Sequence, residues 1–424
     1  MAEIGQTETR YATELDSSFK IDIYTQAGQV TLDNANVVEV FFIEDIFSFC
    51  MTGKIIFLDK TGMMEFAPIT GNEMVSITYG VKNNIKVNFK IFSLMNISGL
   101  GFAEAGSQQM MEIVLVEPRY FAMTSAVFSR SWKNYYISDI IKEISNNILL
   151  NEDFKQFEST NEKLPYFYIP YWTPLEAIRW LLDKGSGSVS GLPGYLFYGN
   201  TLGLNYTTLE SLFLSKEMEM DEDTKNVAMY KFNTTTQDIS AIITWEMSHV
   251  DLQSFNVLRG GHRLGYDFET KNFINRDYNY KKSISKYTVF GRKTLFPDIS
   301  MKNSRYELTG ETDKNIIDNI YYSDFIKRYT KQMAMIITVR GHERRSAGLI
   351  TSILWPSGDK EQVFNKNLEG KYLIKSVTHH FGMKSPTYTQ KLVLLKTGYD
   401  DSNDKLLVTS SRMNLDFAKK MGSK

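Results

Sequence analysis

Ile85-Lys86-Val87-Asn88-Phe89-Lys90-Ile91 alternates apolar and polar residues without a break. Successive side chains of a strand point to opposite faces, so this stretch reads as a strand with one buried and one wet face. Asn83-Asn84 before it supplies a turn. Working outward, Asn34-Ala35-Asn36, Asp59-Lys60-Thr61-Gly62 and Thr70-Gly71-Asn72 break the earlier apolar runs, and Met110 to Val116 reads as a further strand. No helical period is sustained over residues 19–117. Short strands with turns at this spacing predict a barrel or sandwich.

The character changes after Pro118. Ser138 is placed to cap a helix whose apolar face is Ile140, Ile141, Ile144 and Ile148. Thr173-Pro174-Leu175-Glu176 is a stronger start signal. The Thr hydroxyl can accept from the N3 amide, Glu176 can reach back, and Pro174 suits the first helical position. Ser186 to Gly194 is a Gly/Ser/Pro loop, and Tyr195 to Tyr206 reads as a hairpin turning near Gly199-Asn200. These residues predict a small α/β module.

Further on, Asp221 to Lys225 is a charged connector and Gly260-Gly261-His262-Arg263 reads as a turn. Asn272 to Lys286 reads as strands and loops. Thr312 to Gln332 is helical in pattern, with Ile316, Ile317, Ile320, Phe325 and Ile326 apolar. Strands at Met335 to Val339, Leu349 to Leu354, Lys371 to Thr378 and Tyr388 to Leu395 make a second β region. Asp400 to Lys424 is a polar tail of the kind that orders on a partner.

The 424 residues are 42% hydrophobic and 23% charged, an ordinary balance for a globular protein. Aromatic residues make up 13%, including 27 Phe and 24 Tyr, which favours strands and interfaces. With 48 basic and 49 acidic residues the net charge is −1, so nothing points to a chain built to neutralise phosphates. Cys50 is the only cysteine, which excludes an intrachain disulfide and reads as a small buried hydrophobe. The polar N-terminus lacks a signal-peptide core, and no apolar run approaches the roughly 18 residues of a membrane helix. The expectation is a reducing, aqueous compartment and no membrane insertion.

Chemistry-bearing patterns are scarce. Gly187-x-x-x-Gly191 has Val189, not Ser, at its centre, so it is no nucleophile elbow. There is no phosphate-binding loop. His379 and His380 are adjacent in a strand and point to opposite faces, and His249 and His262 lack a ligand-spaced partner. Glu104, Glu112 and Glu117 occupy ordinary strand and turn positions. Arg344-Arg345 and Lys281-Lys282 read as solvated faces. The expectation is a chain that is not an enzyme, with no catalytic, cofactor-binding or metal-binding residues and no cofactor.

Two motif sets resemble a known family. The first is Gly53-x5-Asp59-x2-Gly62-x2-Glu65-x2-Pro68-x2-Gly71-x-Glu73. The second is Val339-Arg340-Gly341-His342, Ala347-Gly348, Leu368-x-Gly370-Lys371-Tyr372-Leu373-Ile374-x2-Val377-x-His379 and Tyr388-x-Gln390-x-Leu392-x-Leu394. Together they resemble the two tube-type barrels of baseplate hub proteins from contractile phage tails and related injection machines, a fold shared by type VI secretion spike proteins. Ser138-x-Ile140-Ile141 and Trp172-Thr173-Pro174-Leu175-Glu176-Ala177-Ile178-x2-Leu181 resemble the small domain between those barrels.

The resemblance implies a mainly β chain with an α/β insertion (α+β class): two tube-type β-barrel domains plus smaller inserted domains. The expected division is a first barrel at 1–118, an α/β domain at 119–215 and a mixed connector at 216–333. A second barrel follows at 334–398, with strands from 226–250, and then a tail at 399–424. It further implies a homotrimeric virion hub in the tail baseplate, assembled in the host cytoplasm, with a tail tube protein above and a spike protein below. Tape-measure and baseplate wedge proteins are further expected partners, and DNA passes through the lumen without sequence-specific binding. The alternatives are a tail-tip-associated peptidoglycan hydrolase and a glycan-binding β module.

Overall fold

A computed structural model of the chain describes residues 19–60, 62–80, 85–99, 109–149, 154–216, 229–231, 241–248, 261–267, 271–278, 303–304, 314–331, 333–355, 368–382 and 387–396. The first β region holds β1 (Lys20–Thr25), β2 (Gly28–Leu32), β3 (Val37–Asp45), β4 (Thr52–Asp59), the one-turn helix α1 (Met63–Phe66), β5 (Met74–Tyr79), β6 (Ile85–Gly99) and β7 (Gln109–Val116). Its alternation is what the sequence implies: Val87, Phe89 and Ile91 are buried and pack with Ile23, Phe42, Ile55 and Ile113. Register shifts against β7 at Ile91/Ser93 and Leu94/Asn96 bend β6 and help curl the sheet. The Pro68-x2-Gly71-x-Glu73 motif closes a loop, because the Glu73 carboxylate accepts from the amides of Thr70 and Gly71, each at 2.7 Å.

The insert follows as α2 (Pro118–Ser125), β8 (Phe128–Tyr136), α3 (Ile137–Leu149), β9 (Phe154–Phe157), β10 (Lys163–Trp172), α4 (Pro174–Leu182), β11 (Tyr195–Asn200), β12 (Gly203–Thr208) and α5 (Leu209–Phe213). β8 and β10 form an antiparallel ribbon, and β11, β12 and β9 form a second small sheet. Ile140, Ile141 and Ile144 of α3 pack with Ile178 and Leu181 of α4, so the apolar spacing in both helices makes one core. Both bonds of the Thr173–Glu176 capping box are present. Ser138 is not a cap: the helix begins at Ile137, and the Ser138 amide, buried, donates to Thr160 Oγ1.

The rest comprises β13 (Met229–Lys231), β14 (Ile242–Ser248), β15 (Gly261–Asp267), β16 (Asn272–Tyr278), β17 (Asn303–Ser304), α6 (Lys314–Tyr329), β18 (Met333–Arg340), β19 (Ile350–Leu354), β20 (Gly370–Gly382) and β21 (Thr387–Lys396). Gly261, His262 and Arg263, read as a turn, lie instead in a strand paired with β16. α6 is fastened to the end of α4: Ser323 Oγ and Lys327 Nζ each reach Asp183 Oδ1 at 2.6 Å.

The two β regions meet in one thirteen-stranded sheet of half-barrel curvature. Its main path runs β14-β18-β21-β20-β3-β4-β7-β6-β5-β1-β2, with β19 and β13 branching from β20. The join is antiparallel pairing of β20 with β3. The mainly β class with an α/β insertion is therefore the architecture found. Among the described residues no helix is long and apolar enough to cross a membrane. The stretches containing Glu104, His249, Lys281, Lys282 and the 399–424 tail lie outside the described residues.

Candidate assembly surfaces and the buried junction

Polar chemistry concentrates where β3 meets β20. Glu44 and His379 are both 0% exposed, and His379 Nε2 lies 3.0 Å from Glu44 Oε1. The other Glu44 oxygen accepts from Ser346 Oγ at 2.6 Å and the Ala347 amide at 3.0 Å. On the far side of the ring, His379 Nδ1 is 2.8 Å from the Tyr388 hydroxyl. Gln390 Nε2 donates to that hydroxyl at 2.9 Å, leaving the hydroxyl hydrogen for His379 Nδ1. With a ring hydrogen on Nε2 aimed at Glu44, the His379 ring is held from both sides by these bonds. Burial alone would raise the Glu44 carboxyl, but the bonds from His379, Ser346 and Ala347 outweigh it and hold the group below its ordinary value.

Arg345 extends this network, which corrects the reading of Arg344-Arg345 as a solvated pair. Arg345 is fully buried. Its guanidinium donates to the Arg340 carbonyl and to Gln390 Oε1, and it lies 5.2 Å over the Tyr230 ring. A buried charge needs such partners, and β18, β21 and β13 supply them to this residue of the loop between β18 and β19. Gly341 lets this loop close against β21, since a Cβ there would enter the Tyr388 ring. Gly348 has φ +92°, and a Cβ there would meet the Tyr198 hydroxyl. The two motif glycines thus serve close packing.

Among the described residues, the other side chains singled out in the sequence do not converge on a site. His380 sits on the opposite face from His379, half exposed and 2.7 Å from Glu39. The structure thus separates the two histidines as strand geometry requires. Glu112 pairs with Lys54 at 2.6 Å, while Glu117 is buried, accepts from the Met51 amide and pairs with Arg119. Cys50 is buried, and burial together with the Glu117 charge pushes its thiol up to about 12. Gly187 packs against Glu158 and Ser190 in the loop before β11. Among the described residues no three His, Cys, Asp or Glu side chains are grouped to hold a metal ion. A pocket of about 160 Å³ between Phe47, Phe49, Leu175, Ile178, Phe197 and Lys327 is lined by none of the junction residues.

The surface is more informative. Among the described residues, the end strands β14 and β2 each pair with a single neighbour. β14 exposes Ile243, Trp245 and Met247. Such an edge is a template for pairing with another chain. A second apolar surface lies on the β8–β10 ribbon, where Tyr166, Tyr168 and Tyr171 are exposed. Composition favoured interfaces in general; side-chain exposure and sheet order point to these two candidate surfaces.

No protein-family model matches the chain, and no curated protein matches it. Solved structures do. The tail protein from Neisseria meningitidis MC58 superposes with a TM-score of 0.57 at 11% identity, over 90% of this chain and 98% of that one. The 43 kDa tail protein of prophage MuSo2 from Shewanella oneidensis superposes with a TM-score of 0.54 at 9% identity, over 89% of this chain and 98% of the other. At these identities the likeness concerns the fold, and it runs nearly end to end in both partners. The chain has the fold of these tail proteins, the kind of fold that its motifs resemble.

Proposed function

We propose that the chain is a structural component of a phage-type tail, the central hub of its baseplate, and that it acts without catalysis. The observation that carries this reading is the open sheet. Its main path curls only half way round and ends in β14 and β2, and its branch ends in β13, each with one side unpaired among the described residues. A closed ring of copies joined head to tail satisfies such edges, whereas an isolated chain leaves them as aggregation sites. Exposed Ile243 and Met247 on β14 suit a large apolar interface of the obligate kind.

In this reading three copies form the ring, and their barrels match a sixfold tail tube above and a threefold spike below. DNA passes through the lumen, and tape-measure and wedge proteins dock around it. The division proposed is a first barrel to residue 118, an α/β domain to 215, a mixed region to 333, a second barrel to 398 and a tail.

The test is co-elution of the full chain with purified tube and spike proteins, run beside turbidity clearing of peptidoglycan. A stable complex with at least one of the two proteins, and no clearing, is expected. Clearing without complex formation would replace the hub with a hydrolase.

A further inference from the structure

We propose that the outer face of the β8–β10 ribbon is a docking surface for an acidic segment of a partner protein. The inner face is set by Trp132, Phe167 and Ile169, which are buried in the core of the insert. Strand alternation turns Tyr166 and Tyr168 the other way, and they are 73% and 61% exposed. Tyr171, at the bulged end of β10, is 72% exposed. Large rings gathered on one exposed face mark an interaction surface. Tyrosine gives much contact area while ordering few torsions, which suits it to this use.

The backbone supplies an independent observation. Tyr171 has φ 57°, in the left-handed region that residues with a Cβ avoid and that is an outlier for a bulky one. Its amide donates to Ser129 Oγ at 3.1 Å, which fixes the bend. Glycine or asparagine would make the same bend and the same bond with less strain. The fold instead holds a tyrosine there and turns its ring to solvent. Strain maintained without a packing return is characteristic of ligand-contacting positions.

Charge selects the occupant. β8 and β10 carry Arg130, Lys133 and Lys163 and no aspartate or glutamate. Arg130 pairs with Glu143 of α3. Lys133 and Lys163 instead lie over the rings of Tyr166 and Tyr136, at 5.4 and 4.5 Å from the centroids. A chain of net charge −1 therefore presents a local face of rings and ammonium groups. Its complement is a protein segment that interleaves carboxylates with apolar side chains able to cover the rings. The segment docks on the face and not along the β10 edge, because Pro165 and Pro170 remove two of that strand's donors. This inference stands on the ribbon alone and does not depend on the hub reading.

The test uses the full chain and fluorescein-labelled peptides read by anisotropy. One peptide alternates Glu with Leu and Pro, and its control carries Lys in place of each Glu. Vesicles of phosphatidylcholine with phosphatidylserine and a soluble glucan are run as competitors. Saturable binding of the Glu peptide alone is expected. It should weaken about fivefold or more with Lys133→Glu plus Lys163→Glu, and independently with Tyr166→Ser plus Tyr168→Ser. Either variant pair suffices if the other fails to fold. Equal binding of both peptides, no binding, or an affinity that neither folded pair changes overturns the proposal. So does displacement by vesicles or glucan. A lower sedimenting mass in the folded variants also overturns it, since the occupant would then be a second copy of this chain.

Discussion

The imidazole of His379 and the carboxylate of Glu44 meet 3.0 Å apart across 335 residues of sequence, with both side chains fully buried. They bond across the seam where β20 of the second β region pairs with β3 of the first. The seam is the only strand pairing between the two regions among the described residues. The pair and its neighbours Ser346, Ala347, Tyr388 and Gln390 therefore fasten one half of the sheet to the other.

Glu44 gives the first prediction. Its folded carboxyl is held below the ordinary value of 4.5. A depressed folded value means that the bonded carboxylate contributes stability above the ordinary carboxylate range, and that this is lost as pH falls through the folded value. Glu44→Gln is expected to cost about 1–3 kcal/mol at neutral pH, because at least one of its three donors then faces the amide NH2 group instead of a carboxylate oxygen. Denaturant unfolding of both proteins should show this difference shrinking below pH 4.5. A difference unchanged between neutral and acid pH would refute the assignment.

Gly341 gives the second. Gly341→Ala drives a methyl group into the Tyr388 ring, and a cost of about 1–3 kcal/mol follows from overpacking at a site with no slack. If the ring is the cause, Gly341→Ala should cost less in a Tyr388→Ala background than in the wild type. A double-mutant cycle measures that coupling. Strict additivity would place the damage elsewhere.

Cys50 gives the third. With its thiol pushed up to about 12, it is protonated at pH 8, and the attacking species in alkylation is the thiolate. Iodoacetamide should leave the folded chain unlabelled and label it fully in denaturant. Rapid labelling of the folded chain would contradict its burial.

Much of the local structure was legible because it depends on near neighbours. The alternation over Ile85–Ile91 and the capping box at Thr173–Glu176 involve residues at most a few positions apart. Ser138 misled because a helix start is also decided by what lies across from it, here Thr160. The junction had a partial signal. Glu44 follows Val40 and Phe42 in the buried phase of β3, and His379 stands between buried Val377 and Phe381 in β20. A charge in the buried phase announces a partner, but the register that unites the two is set by long-range strand pairing. The burial of Arg345 was hidden for the same reason, since its partner Gln390 lies 45 residues away. The exposed edge at β14 is invisible in sequence because edge and central strands share one alternation.

Sedimentation of the purified full chain at micromolar concentration tests the central claim most directly. A ring-forming hub predicts a species of three times the mass of one chain, and its partial dissociation when Ile243 and Met247 on the β14 edge are both changed to lysine. A monodisperse, soluble monomer that remains so as concentration rises would contradict it.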